Sequence, residues 1–168
     1  NHPDAQTVNL LSHAQHGDVS LHVEFTVPEG SNSGVYLQGR YEVQVLDSWG
    51  KTDIGHGDCG GIYQRWIGGR GLEGHAPKIN ASLPPGEWQS FDIVFRAPRF
   101  NQSGEKIENA RFLKVVHNGV PVHHNVSLNG PTRSASFDDE QPLGPIMLQG
   151  DHGPVAYRNI IVRPLNLD

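Results

Sequence analysis

Long apolar runs are missing from this sequence, and so is any basic stripe interleaved with aromatic residues. The first lack leaves no segment able to span a membrane. The second, with a net charge of −5, argues against a general nucleic-acid partner. Cysteine is nearly absent. Cys59 stands alone, so no internal disulfide can form and the redox compartment cannot be read from it. No segment carries a convincing helical period beyond about one turn. A leader with a charged start and an apolar middle is not visible either. The chain opens abruptly at Asn1 with NHPDAQ, as a processed or excised product does, and export stays open.

What is present is turn chemistry and alternation. With 20 glycines and 12 prolines in 168 residues, the composition suits many turns rather than long helices. The length suits one domain with a single substantial core. Val19 to Val27 alternates without fault, and Pro28-Glu29-Gly30 ends it. Phe91 to Phe95 repeats the pattern after Pro84-Pro85-Gly86. Phe112 to His117 and Val120 to Val122 flank Asn118-Gly119, the dipeptide best suited to a type I′ hairpin. Pro145 to Gln149 and Tyr157 to Val162 complete the series. These strands indicate an all-β fold, an antiparallel two-sheet β-sandwich, over residues 17–168. Residues 1–16 are expected to be an N-terminal extension or residual linker.

Ser31 to Tyr63 is the most informative stretch. In Tyr41-Glu42-Val43-Gln44-Val45, Tyr41, Val43 and Val45 form one face and Glu42 and Gln44 the other. With Gln38 these make a polar row of hydrogen-bond acceptors that suits sugar hydroxyls; a plain solvated sheet face would also explain it. Two long stretches lack strand signal, Ser48 to Leu83, with nine glycines in 36 residues, and Ser127 to Leu143. Loops of that length are uncommon unless they work or are disordered. Trp49, Tyr63 and Trp66 in the first either offer sugars a stacking surface or simply pin the loop. In Gly144 to Gly153, Ile146 and Leu148 should face the core and Gln149 the other side. Asp151 and His152 then sit between two glycines, where the imidazole can exchange a proton near neutrality and Asp151 can fix its tautomer. The bland alternative is a capped turn with an exposed histidine. The ten histidines are scattered, and His123-His124 reads as surface.

Several motifs recur in a particular order: Ser31-Asn32-Ser33-Gly34, YEVQVLD at Tyr41 to Asp47, DCGGIY at Asp58 to Tyr63 and PPGEWQSFDI at Pro84 to Ile93. The NGV hairpin at Asn118 to Val120 and GPIMLQGDHGPVAYRNIIVRPL at Gly144 to Leu165 follow. Together, over roughly Gly17 to Leu165, they closely resemble the 3-keto-disaccharide hydrolase family. The resemblance implies a concanavalin A-like jelly roll. It also implies a bacterial protein that is secreted, periplasmic or at the cell surface, acting on sugars oxidised at carbon 3. A GW-type strand pair usual at the start of the family looks absent or altered before Gly17. The expectation is that a neighbouring subunit supplies that edge strand or that it is lost with an upstream domain, so flanking domains or an oligomer are in view.

A ketone at carbon 3 acidifies the hydrogen on carbon 2, so a base can remove it and expel the glycosidic oxygen from carbon 1. That route needs a base, an acid and a proton donor or cation at the enolate, but not paired carboxylates. One acid, Glu42, lies on the polar face of its strand, against the three alternating acids of laminarinase-like enzymes on this fold. Glu42 and His152 are accordingly the expected catalytic pair, in no fixed order. Gln38, Gln44 and Gln149 are expected to hold hydroxyls, with Arg40 at the ketone oxygen, Tyr63 and Trp66 on the rim, and Asp151 beside His152. Asp47, Asp53 and Asp58, with His56 nearby, make a candidate calcium site, though their spacing fits no strict template. A second reading, a non-catalytic carbohydrate-binding module of a larger extracellular protein, uses the same polar face and aromatic rim. A scaffold or adhesion domain is a third.

Overall fold

A computed structural model describes residues 8–167. Among them the chain forms thirteen strands, β1 (Leu10–His16), β2 (Val19–Thr26), β3 (Asn32–Leu37), β4 (Tyr41–Leu46), β5 (Arg65–Ile67), β6 (Arg70–Leu72), β7 (Gln89–Arg96), β8 (Arg99–Phe100), β9 (Lys106–Glu108), β10 (Ala110–His117), β11 (Val120–Leu128), β12 (Gly144–Leu148) and β13 (Ala156–Pro164). Two antiparallel sheets dominate, with orders β1-β12-β3-β4 and β11-β10-β7-β2-β13. The pairs β5-β6 and β8-β9 are short separate hairpins. This is the expected all-β sandwich.

Between the sheets lies one core. The five-stranded sheet contributes Val19, Leu21, Val23 and Phe25 from β2 and Phe91, Ile93 and Phe95 from β7. The four-stranded sheet contributes Val35 and Leu37 from β3, Tyr41, Val43 and Val45 from β4, and Ile146 and Leu148 from β12. Alternation places these residues inward, because successive strand side chains point to opposite faces. The Tyr41 and Phe95 rings meet at 5.3 Å, and Phe25 and Phe91 at 4.7 Å. Each fully buried aromatic of this kind stabilises the fold by roughly 2 kcal/mol. Asn118 and Gly119 have φ of 51° and 79°, the two positive angles that a type I′ turn requires.

Three expectations change. Residues 10–16 do not behave as a linker, because β1 pairs with β12 and closes the edge of the four-stranded sheet. The boundary at Gly17 therefore cuts through the sandwich; residues 1–7 of that expected extension lie outside the described residues. The long loop after Ser48 is not strandless, since β5 and β6 form a hairpin through Gly68 and Gly69, at φ 59° and 81°. Third, His123 is buried, not surface. A register shift between Val115 and Val116 turns it inward with Val122, and its ring nitrogen meets the Gly60 carbonyl at 2.8 Å. Burial pushes its imidazole down to about 4.

The outer face of the five-stranded sheet alternates in the ordinary way, half-buried at Ser20, His22 and Glu24. The outer face of the four-stranded sheet does not. Every residue from Tyr41 to Val45 is buried, whichever way its side chain points. The two long loops cover that face, and a polar hollow lies beneath them.

Candidate active site

Strands β3 and β4 pair so that Tyr36 stands opposite Glu42 and Gly34 opposite Gln44. All four belong to the outer face of the sheet. Gly34 has no side chain for a reason of space: an added Cβ would lie 2.2 Å from Glu42 Oε1. The neighbouring strand β12 runs out at Leu148, and Gln149 follows, held by its backbone. The Gln149 N–H donates to the Gly34 carbonyl at 2.9 Å, and its own carbonyl accepts from Ser33 Oγ at 2.6 Å. The turn beyond is pinned as well, since Gly153 lies so close to β3 that a Cβ there would be 2.5 Å from Ser31 Oγ.

These elements enclose a hollow of about 210 Å³ lined by Asn32, Tyr36, Glu42, Gln44, Tyr63, Arg133, Ser134, Gln149 and His152. Glu42 and His152 thus open into one space. The two differ sharply in environment. Glu42 is 2% exposed, and burial pushes its carboxyl from an ordinary 4.5 up to about 8, against a hydrogen bond with Tyr36 that pulls the other way. Burial, then the neighbouring Glu42, raises the Tyr36 phenol far above its usual range, so it stays a neutral hydroxyl. It also reaches the Arg133 carbonyl at 3.4 Å. His152 is exposed at the rim, its Nδ1 2.6 Å from Asp151 Oδ1. A carboxylate can only accept, so Nδ1 carries the hydrogen and Nε2 is left to exchange a proton. Asp151 orients the histidine without lining the hollow.

Gln44 donates from Nε2 to Asn32 Oδ1 at 2.9 Å, which fixes both amides at the wall. Tyr63 lines the hollow from the first long loop, held edge-on to the His56 ring at 5.4 Å. Gln38 and Arg40 are placed differently from expectation. Strand β3 ends at Leu37, and Gln38 takes φ 55° in the turn, so the alternation that put it in the polar row stops before reaching it. Its amide donates to the His16 and Pro142 carbonyls. The Arg40 guanidinium is 4% exposed and is spent on Asp139 and the Gln38 carbonyl, with Phe137 stacked 4.5 Å away. Neither lines the hollow. Trp66 lies beside it in a second hollow, with the Arg133 guanidinium 4.0 Å over its ring.

Arg133, and not Arg40, is the guanidinium that lines the hollow. Among the described residues no carboxylate pairs with it. Sequence reasoning missed Arg133, Ser134, Tyr36 and Asn32. The signal for the first two was the length of the stretch Ser127 to Leu143; Ser134 also takes φ 63°, a left-handed backbone unusual for serine. Tyr36 reads as an ordinary sheet aromatic until its partner across the strand is known.

The expected calcium ligands do not converge. Asp47 accepts from the Gly30 and Trp49 N–H groups. Asp58 accepts from Ser48 Oγ, Gly55 N–H and Lys51 Nζ, and Asp53 is exposed in the loop. Among the described residues no three His, Cys, Asp or Glu side chains come together as a metal-holding group. The donor set therefore does not fit calcium on those three carboxylates. No helix is long and apolar enough to cross a membrane among the described residues.

A "putative glycosyl hydrolase" of Parabacteroides distasonis ATCC 8503 superposes with a TM-score of 0.75 at 32% identity, covering 94% of this chain and 68% of that one. A second structure from the same organism, described in the same words, gives a TM-score of 0.61 at 20% identity over 94% and 83%, a likeness of fold. No curated protein sequence matches. The family model for the 3-keto-alpha-glucoside-1,2-lyase-like domain matches residues 1–163, and with that span the chain belongs to this family of carbohydrate-active, glycoside hydrolase- and lyase-like proteins.

Proposed function

We propose that the protein cleaves 3-keto-glycosides by elimination followed by hydration. The observation that carries this is the meeting of Glu42 and His152 in one hollow. Their surroundings push their roles apart, which is how acid and base are distinguished in one site. At neutral pH a carboxyl raised to about 8 is mostly protonated, so Glu42 is the acid. His152, its Nδ1 turned to Asp151 and its Nε2 left open, is the base.

In the first half, His152 Nε2 takes the proton from carbon 2. The electron pair forms the bond between carbons 1 and 2 as the bond from carbon 1 to the glycosidic oxygen breaks, and Glu42 delivers its proton to that oxygen. Arg133 offsets negative charge on the carbon 3 oxygen as it develops. In the second half, water adds at carbon 1 while Glu42 takes back a proton and His152 returns one to carbon 2. Both groups end as they began. Asn32, Gln44 and Gln149 hold hydroxyls, and Tyr63 closes a side. This reading carries with it an exported bacterial protein: secreted, periplasmic or on the cell surface.

Incubation with 3-keto-trehalose or 3-keto-sucrose, followed by detection of free glucose, tests the proposal. Release is expected, and Glu42→Gln should lower turnover by about a hundredfold or more. Binding without turnover would contradict catalysis and leave a sugar-holding module. Equal rates for the variant and the parent would remove Glu42 from the mechanism.

A further inference from the structure

The geometry points to a second sugar subsite beside the first, one that takes the leaving pyranose and rests on the cleavage reading above. A hollow of about 450 Å³ adjoins the catalytic one and shares Arg133 and Ser134 with it. Its other walls include Trp66 and Ile67 from β5, Thr132, and Asp138. Trp66 is 47% exposed and Ile67 43%, so two neighbouring apolar side chains of the wall stay open to a ligand.

The chemistry of this hollow matches a pyranose better than a small alcohol. A sugar ring has an apolar face of C–H groups and an equatorial belt of hydroxyls. Trp66 and Ile67 answer the first, and Ser134 and Asp138 the second. Trp66 is held in place from one side by the Arg133 guanidinium at 4.0 Å. The β5-β6 turn through Gly68 and Gly69 fixes the strand that carries it. Arg133 stands between the two hollows, so a disaccharide lying across both would bring its glycosidic bond past that guanidinium. Binding energy from the leaving ring then helps position the reacting carbons, which a substrate with a methyl leaving group cannot supply.

The test compares 3-keto-trehalose with methyl 3-keto-α-glucoside. For the parent protein, and for Trp66→Ala and Ala135→Leu, kcat/KM is measured on both. The second variant narrows the same hollow at Ala135, another of its lining residues, and serves if the first fails to fold. Each variant is expected to lower the ratio of kcat/KM, disaccharide over methyl glycoside, by about tenfold. An unchanged ratio, with both substrates turned over, overturns the subsite while leaving the cleavage reading intact. Failure of the parent protein to turn over either substrate overturns the cleavage reading and the subsite with it.

Discussion

Glu42 is a carboxylate that folding buries at a cost, and that cost is the clearest residue-level sign of function. Its carboxyl rises from 4.5 to about 8 because burial disfavours the charged form. A group whose folded value lies above its unfolded one contributes full stability below the unfolded value, and that contribution drains away as pH rises toward the folded value. The window here runs from about pH 4.5 to about pH 8. At pH 7 the penalty is about 3 kcal/mol. Glu42→Gln removes the ionisation but keeps the size and an acceptor for Tyr36. The variant should therefore be more stable than the parent at pH 7, with the gain shrinking toward zero near pH 4.5. Thermal melts at several pH values check this, and a variant less stable at pH 7 would show the carboxylate to be structural. Stability given up at a single buried acid is what an active site looks like when seen through energetics.

Scaled up to strands, the site is a matter of register. The pairing of Gly34 with Gln44 and of Tyr36 with Glu42 leaves a gap over Gly34 that the Glu42 carboxyl occupies. Gly34→Ala should push Glu42 out of place, because the added Cβ would meet the Glu42 carboxyl and, at 2.9 Å, the fully buried Tyr36 ring. Turnover should fall at least about tenfold and the melting temperature should drop as the packed Tyr36 ring gives way, checked by rate and melt together. Full activity in that variant would mean Glu42 is not held where its chemistry requires. Alternation in β2, β4, β7 and β12 made the core, the sheets and the partnership of Glu42 with Gln44 legible from sequence, because period-2 patterning is local. Gln38 defeated the same logic, since a strand that stops at Leu37 cannot carry parity one residue further. Leu10 to His16 escaped notice because, as an edge strand, it is mostly exposed and lacks a buried face to show. Arg133 and Arg40 could not be told apart in sequence. Which guanidinium finds a carboxylate depends on Asp139, about a hundred residues from Arg40, and only the fold brings them together.

For the whole molecule, the decisive arrangement is asymmetry between two sheets that share one core. The five-stranded sheet shows water an ordinary alternating face. The four-stranded sheet is roofed by its long loops, which supply Tyr63 and Arg133 to a face that would otherwise be solvated. Strand patterning alone made that face look like either a wet surface or a sugar platform, because loops of 127–143 and 48–83 have no periodicity that says where they lie. Roofing is what dries Glu42 and so converts an ordinary acid into one protonated near neutrality. The account therefore makes its strongest statement about pH. The most direct measurement is kcat/KM for 3-keto-trehalose from about pH 6 to about pH 10, which reports ionisation in the free protein. With Glu42 as the acid, kcat/KM should fall above about pH 8, approaching tenfold per unit. A profile that climbs through that range, or stays level across it, would contradict the account.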